Sequence, residues 1–216
     1  MPNKNTLANG LIALGRTLGL AAGLVLALSA APALADQIDF AHPAFAPTGG
    51  ATSIPVGASE FCKVHRADCS LNNHAVAAMP LSSALWQELV DINNLVNAAI
   101  QPVTDIEYYQ LAEYWTYPDQ YGDCEDYALA KRKLLIERGW HPSTLLMTVV
   151  RETDGAGHAV LMVRTDRGDL VLDNQRGDIL LWNQTPYQYL KRQSQADAGR
   201  WVDIVDQRET LVAAAR

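Results

Sequence analysis

The chain of 216 residues carries a formal net charge of -7, and 49% of its residues are hydrophobic. This acidic balance argues against nucleic acid as the main partner and is compatible with cation binding. A chain of this length can bury one sizeable core without extra covalent links, so we expect one folded domain.

The first 35 residues are typical of a secretory signal. They combine two positive charges, an apolar run over residues 18–31 and a small-x-small site that ends at Ala35. We therefore expect cleavage after Ala35 and an exported, periplasmic protein. Its net charge becomes -9, because Lys4 and Arg16 are the only charged residues removed. No later segment approaches the ~20 apolar residues of a membrane span.

Three cysteines remain in this oxidising compartment. Cys62 and Cys69 lie seven residues apart in a polar, turn-like stretch that a local disulfide could close. The alternative, that this pair binds a metal, lacks a second pair of ligands. If the two cysteines pair, Cys124 is left as an odd thiol, and catalysis is the most economical reason for it. The competing interpretation is a small, buried helix residue.

Residues 36–57 are rich in Pro, Gly, Ala and Thr without a sustained period, which indicates an extended entry segment or a mobile tail before a domain over residues 58–216. A helix follows Pro80, with Ser82 or Ser83 as its cap, and Pro102 ends it. We interpret this helix as packing material without chemistry. Its apolar positions recur at helical spacing: Leu85, Leu89, Ile92, Val96 and Ala99.

Residues 104–122 are dense in aromatic and acidic side chains. They fit either a half-buried amphipathic helix with a turn at Pro118 or the wall of a cleft that leads into Cys124. A second helix is predicted from Cys124 to Arg138, with Asp123 as N-cap and Gly139 as the left-handed stop. The sulfur would then lie at the positive end of the helix, where thiolates are stabilised.

After residue 142 the pattern changes to period two and apolar runs, over residues 145–150, 159–164 and 170–172. Gly-rich and Asp-rich turns separate these runs, so consecutive antiparallel strands are the simplest connection. We also expect further strands at Trp182, at residues 187–189 and at residues 201–204. Helices followed by a meander predict an α+β fold, with the nucleophile at a helix N-terminus packed on an antiparallel sheet.

Two residues in the strand region are poorly explained by structure alone. His158 opens a strand after a Gly-Ala-Gly turn, and Asp173 closes the next strand. If these strands pair through the intervening hairpin, the two side chains lie side by side at one end of the sheet. With Cys124 they would form a nucleophile, a base and an orienting carboxylate for acyl transfer. The backbone N–H of Cys124 and a second donor from residues 109–115 would meet the oxyanion.

The chain resembles the bacterial transglutaminase-like cysteine peptidases, among them the LapG-type periplasmic proteases. The similarity covers roughly residues 60–190. It rests on Gly122-Asp123-Cys124-Glu125-Asp126-Tyr127-Ala128 with Lys131, preceded by Tyr114-Trp115 and Pro118, and on Gly157-His158-Ala159-Val160-Leu161 and Leu172-Asp173-Asn174. The Cys62 to Cys69 element is not a feature of the adhesin-processing members.

The resemblance implies a papain-like or transglutaminase-like fold and a triad of Cys124, His158 and Asp173. It also implies calcium beside the nucleophile, cleavage of a large surface adhesin in biofilm control, and a partner in the periplasmic domain of an inner-membrane receptor for cyclic di-GMP. Carboxylate oxygens are the ligands that calcium prefers. The candidate calcium ligands are Asp105, Asp123, Glu125 and Asp126.

Two other functions stay open at the level of sequence. A transglutaminase or amidase would use the same triad and thioester but transfer the acyl group to another acceptor. A non-catalytic module would use the acidic cluster to bind calcium or a partner, and the acidic residues would otherwise be explained by the helix dipole.

Overall fold

The computed structural model describes residue 40 and residues 42–208, which belong to one compact unit, Gln37–Arg216. The predicted signal at residues 1–35 lies outside the described residues. Among those that are described, no helix has the length and apolar character needed to cross a membrane. The elements are β1 Thr48–Thr52, α1 Val56–Val64, α2 Ser83–Ala99, β2 Gln101–Pro102, α3 Asp105–Tyr108, β3 Tyr121–Gly122, α4 Cys124–Glu137, β4 Leu145–Arg151, β5 Gly157–Thr165, β6 Gly168–Leu172, β7 Leu180–Leu181, β8 Gln188–Gln193 and β9 Trp201–Ile204.

Seven strands form one antiparallel sheet in the order β1-β9-β8-β4-β5-β6-β7. Strands β4, β5 and β6 are consecutive neighbours, as their turn sequences predict. With helices α2 and α4 packed beside this sheet, the α+β prediction is confirmed.

The central strands are apolar throughout because both faces of the sheet are buried. Alternate residues divide between two cores: Leu145 and Leu161 pack with helices α2 and α4, whereas Leu146 and Val160 pack with Trp182 on the other side. This division explains why the strands appear in the sequence as apolar runs.

The segment predicted as an entry or tail is part of the sheet. Strand β1 pairs with β9, and the predicted domain boundary at residue 57 falls inside helix α1. A Cβ atom at Gly57 would lie 2.2 Å from Cδ1 of Trp115, so this glycine lets the helix pack directly on that ring. Strand β1 shows no apolar alternation because it is an exposed edge strand, which removes the usual signal.

The later strand predictions are correct in part. Residues 201–204 form β9, and Tyr189 lies in β8, whereas Trp182 begins a short 3₁₀ turn. The turn forms because the Thr185 hydroxyl donates to the Trp182 carbonyl at 2.8 Å, which satisfies that carbonyl outside a strand ladder.

A disulfide joins Cys62 and Cys69, as the sequence predicts, and Cys124 is the free cysteine. The bridge spans the end of helix α1 and the 3₁₀ turn after it. Arg132 of helix α4 donates to the Asp68 carbonyl at 3.5 Å, so the bridged element is tied to the helix that carries Cys124.

Candidate active site

A short parallel strand pair brings two distant carboxylates together. Strands β2 and β3 align Pro102 with Gly122, and Val103 N–H donates to the Gly122 carbonyl at 3.1 Å. Because the two strands are parallel, the segments that follow them leave in the same direction, and Asp105 and Asp123 become neighbours. The backbone N–H of Asp105 donates to Oδ2 of Asp123 at 3.2 Å.

Helix α4 begins at Cys124, as predicted, and Gly139 follows its end with a φ of 95°. Asp123 occupies the N-cap position, as predicted. Its side chain makes no capping hydrogen bond, because the carboxylate accepts from the backbone N–H of Asp105 instead. The helix start therefore leaves its carboxylate available to a neighbouring site.

The segment between residues 104 and 122 is not the extended amphipathic helix that was one of its two interpretations. Only one helical turn forms, α3, because the Asp105 carboxylate accepts a hydrogen bond from the backbone N–H of Tyr114 and draws the chain back. Thr116 N–H likewise donates to Oδ1 of Asp126 at 2.9 Å. The loop is thus wrapped around the acidic residues at the start of α4.

His158 and Asp173 lie side by side, as the β5–β6 hairpin predicts. Nε2 of His158 is 3.0 Å from Oδ1 of Asp173, and both side chains are 2% exposed. A carboxylate only accepts hydrogen bonds, so Nε2 carries the proton and Nδ1 faces away from Asp173. Burial alone would raise the pKa of Asp173, but hydrogen bonds from His158 and Tyr187, with the His158 charge, hold it below its usual value.

The sulfur of Cys124 meets the strand that carries His158. The backbone N–H of Ala159, the next residue in β5, favours the thiolate and so acts to lower the pKa of the Cys124 thiol, while the thiol donates to Oε2 of Glu125 at 3.2 Å. The sequence predicts a stabilised thiolate at this helix end. In this structure, burial and the adjacent Glu125 carboxylate instead raise the pKa of the thiol, because both disfavour a negative sulfur more than the helix dipole favours it.

Three carboxylates converge beside the nucleophile. One oxygen from each of Asp105, Asp123 and Asp126 lies within 4.8 Å of the others. Glu125, the fourth predicted ligand, is outside this group because its carboxylate accepts from the Cys124 thiol. Burial and then the charge of Asp123 raise the pKa of Glu125 well above its usual value.

Two of the three carboxylates, Asp105 and Asp126, are buried, which is unusual for charged side chains. Burial, with the charges of Asp123 and Asp105, raises the pKa of Asp126 to about 7. Oδ1 of Asp123 and Oδ2 of Asp126 are buried and have no hydrogen-bond partner among the described residues. A Cβ at Gly122 would lie 2.8 Å from Oδ2 of Asp126, so the glycine of the motif makes room for this carboxylate.

Residues 109–115 were expected to supply a second oxyanion donor. Two of their donors already serve carboxylates: Tyr114 N–H bonds to Asp105, and Trp115 Nε1 donates to Glu113 at 3.1 Å. Trp115 is buried against Trp201, with ring centroids 6.1 Å apart. This tryptophan is therefore a core residue, while Tyr114 is exposed at the loop surface.

Sequence reasoning missed Tyr187, whose hydroxyl donates to Oδ2 of Asp173 at 2.5 Å. Its ring also lies 5.4 Å from the His158 ring. Nothing in the spacing of the chain signals this contact, because Tyr187 reaches Asp173 only through the sheet order. The carboxylate is thus held by His158, Tyr187 and the backbone N–H of Gln175.

Replacing Tyr187 by phenylalanine removes one hydrogen bond to a buried charge. We expect the free energy of unfolding to fall by about 1.5–3 kcal/mol, measured by urea denaturation. The matched control is Tyr189→Phe, which removes the 2.9 Å bond to the neutral Thr185 hydroxyl and should cost only about 1 kcal/mol. Equal losses in the two variants would contradict the assignment of a charged Asp173.

Lys131 of helix α4 is fully buried, and burial lowers its pKa to about 7, opposed by the charge of Asp173. A base with a lowered pKa is charged in both states below pH 7, so the cost of burial is then felt in full. As the pH rises from about 7 towards 10, the folded state releases its proton first and the cost is relieved.

We therefore expect Lys131→Met to raise the free energy of unfolding at pH 7 by roughly 2–4 kcal/mol, and to lose this advantage towards pH 10. The measurement is urea denaturation of wild type and variant at both pH values. Lys133→Met, at an exposed position on the same helix, is the control and should change stability little at either pH. A variant less stable than wild type at pH 7 would contradict this prediction.

A comparison with known protein families identifies the family of this chain. The family model described as bacterial transglutaminase-like cysteine proteinase (BTLCP) matches residues 48–209. The chain belongs to this family. The match begins at strand β1 and so includes residues 48–57 of the segment that was predicted as an entry.

Solved structures similar to this chain include Legionella pneumophila LapG in a calcium-bound form, at 26% identity and a TM-score of 0.45. That match covers 50% of this chain and 64% of the LapG chain. An EGTA-treated form of the same protein matches at 27% identity and a TM-score of 0.44, covering 50% and 62%. The chain thus spans less than two thirds of these structures. No curated protein matches it significantly.

Proposed function

We propose that this protein is a cysteine endopeptidase that cleaves a protein substrate, with Cys124 as nucleophile, His158 as base and Asp173 as the carboxylate that orients the imidazole. One observation carries the proposal. The buried His158–Asp173 pair lies at the start of β5, beside Ala159, the residue whose backbone N–H acts on the thiol of the free Cys124.

The contacts of His158 support an assignment of the proton movements. Nε2 of His158 faces Asp173, and Nδ1 lies 3.7 Å from Oε1 of Glu152, so we propose that Nδ1 takes the proton from the Cys124 thiol. The thiolate attacks the substrate carbonyl, and His158 returns the proton to the leaving amine as the peptide bond breaks and a thioester remains. Water, deprotonated by His158, then hydrolyses the thioester and regenerates the thiol.

Two groups act on this chemistry from the nucleophile side. The thiol must first leave its hydrogen bond with Glu125, because a proton shared with that carboxylate is not available to the imidazole. The backbone N–H of Cys124, at the first position of helix α4, is the proposed donor to the oxyanion.

We also propose that Asp105, Asp123 and Asp126 hold a calcium ion. The support is chemical: three carboxylates converge, two of their buried oxygens have no partner among the described residues, and calcium prefers such oxygen ligands. When bound, the ion would supply positive charge that offsets the carboxylates around the sulfur. This would favour the thiolate that burial and Glu125 disfavour in this structure.

Family membership supports the finer proposals about biology. We propose that the protein acts in the periplasm after removal of residues 1–35 and that its substrate is a large surface adhesin. The proposed regulatory partner is the periplasmic domain of a cyclic di-GMP receptor. The acidic charge of the chain argues against nucleic acid as its main partner.

A peptide library made from a bacterial proteome tests the reaction type without a known substrate. The protein is incubated with the library, calcium and methylamine, and the products are analysed by mass spectrometry. We expect new peptide termini with a recurring sequence, and none with the Cys124→Ala variant. Glutamine residues converted to methylamides, without new termini, would replace the peptidase by an acyl transferase.

A further inference from the structure

Two asparagines of helix α2 reach the main chain of the loop that carries Asp173. Nδ2 of Asn97 donates to the backbone carbonyl of Asp173 itself at 2.9 Å. Nδ2 of Asn93 donates to the carbonyl of Gly177 at 3.2 Å and lies 3.5 Å from that of Arg176. Both ends of the loop at residues 173–177 are therefore held by one helix.

Asn93 is a polar residue at a position where burial of an amide costs free energy. It is fully buried on the same side of α2 as Leu89, Ile92 and Val96, where an apolar residue would pack without cost. Its Nδ2 makes both contacts with the loop, and its Oδ1 has no hydrogen-bond partner among the described residues. A buried amide that is only half satisfied indicates that the loop contact is needed for something other than stability.

The loop is held by these asparagines together with hydrogen bonds of Asp173 to His158 and Tyr187 and of Gln175 to Asp173 and Glu152. It follows the last residue of strand β6 and lies outside the sheet, so its main chain depends on side chains for hydrogen bonds. A shift of the Asp173 backbone would move its carboxylate relative to Nε2 of His158. Small misplacements of this kind lower the rates of enzymatic steps strongly.

We propose that Asn93 and Asn97 are positioning residues that clamp the loop at residues 173–177, and that this clamp keeps the proton of the neutral His158 ring on Nε2. The inference rests on the proposed function and extends it to α2, a helix that the sequence indicated as packing material only. Its role is indirect, since these side chains hold Asp173, and Asp173 holds the imidazole.

The test uses the full mature chain, calcium and iodoacetamide, so no substrate is needed. The variants are Asn97→Ala and Asn93→Leu, and the control is Asn94→Ala, an exposed asparagine on the same helix. We expect alkylation of Cys124, located by peptide mapping, to be about 10-fold slower in the two variants and unchanged in the control.

A second readout separates positioning from loss of structure. Long-range proton–nitrogen NMR correlations of the His158 ring report which nitrogen carries the proton. We expect the Nε2–H form alone in the wild type and the control, and a mixture of the two forms in Asn97→Ala and Asn93→Leu. Asn93→Leu keeps the side-chain size in an apolar setting, so it decides the question if Asn97→Ala fails to fold.

The outcomes separate this inference from the function beneath it. Wild-type alkylation rates with a retained Nε2–H form in both variants would overturn the clamp and leave the peptidase proposal intact. If Cys124 of the wild type is no more reactive than a free cysteine in an unfolded peptide, the peptidase proposal fails first. Slower alkylation with an unchanged His158 tautomer would also overturn the clamp, because the effect would then bypass Asp173.

Discussion

Replacing His158 by glutamine is expected to lower kcat/KM by about 10⁵-fold for any peptide that the wild type cleaves. The glutamine amide can still donate to Asp173, but it cannot accept the thiol proton or protonate the leaving amine. The variant thus loses the acid–base function of His158, while a side chain of similar size still contacts Asp173, which lies 3.0 Å from Nε2 in the wild type. The measurement is the initial rate of cleavage under calcium.

His141→Gln is the matched control for this substitution. Its Nδ1 lies 2.7 Å from the Ser143 hydroxyl. Among the described residues, neither His141 nor Ser143 forms a hydrogen bond with Cys124, His158 or Asp173. We expect wild-type rates in this variant. A His158→Gln protein that retains cleavage within tenfold of the wild type would remove His158 as the base and favour a non-catalytic or differently organised site.

Removing calcium is expected to lower the melting temperature by about 10 °C. An ion held with a dissociation constant 1,000-fold below its concentration stabilises the fold by about 4 kcal/mol, and about 2–4 °C corresponds to each kcal/mol in a domain of this size. The physical source is relief of repulsion among Asp105, Asp123 and Asp126, which lie within 4.8 Å of one another. Differential scanning fluorimetry with calcium and with EGTA measures the shift.

The ligand assignment is tested by a pair of isosteric substitutions. Asp126→Asn removes one charged ligand, so the calcium-dependent shift should largely disappear, while the EGTA-treated variant should be at least as stable as EGTA-treated wild type. Asp91→Asn, on the exposed side of α2, should keep the full shift. A full shift in Asp126→Asn, or none in the wild type, would contradict the calcium site.

Much of this architecture was predictable because local signals and global contacts agree. Ser82 caps α2, where its hydroxyl accepts from Leu85 N–H at 3.2 Å, and Gly139 supplies the left-handed conformation after α4. The β5–β6 hairpin follows from the turn sequence Thr165-Asp166-Arg167-Gly168-Asp169 between two apolar runs, and this hairpin brings His158 to Asp173.

What the sequence does not reveal depends on contacts between distant segments. Strand β1 is exposed and has no apolar period, so only its pairing with β9 identifies it. Tyr187 and Asn97 reach Asp173 from 14 and 76 residues away. Glu125 lies beside both the Cys124 thiol and Asp123, and its carboxylate accepts a hydrogen bond from the thiol. Residue type alone does not predict which of these two neighbours it binds.

The most direct test of the central claim is mass spectrometry of the acyl-enzyme. A peptide that the wild type cleaves is mixed with it under calcium, and the reaction is quenched in acid within its first turnover. We expect an adduct with the mass of the N-terminal fragment, attached to Cys124 and released by hydroxylamine, and none in Cys124→Ala. Cleavage that persists in Cys124→Ala, or an adduct on another residue, would contradict the account.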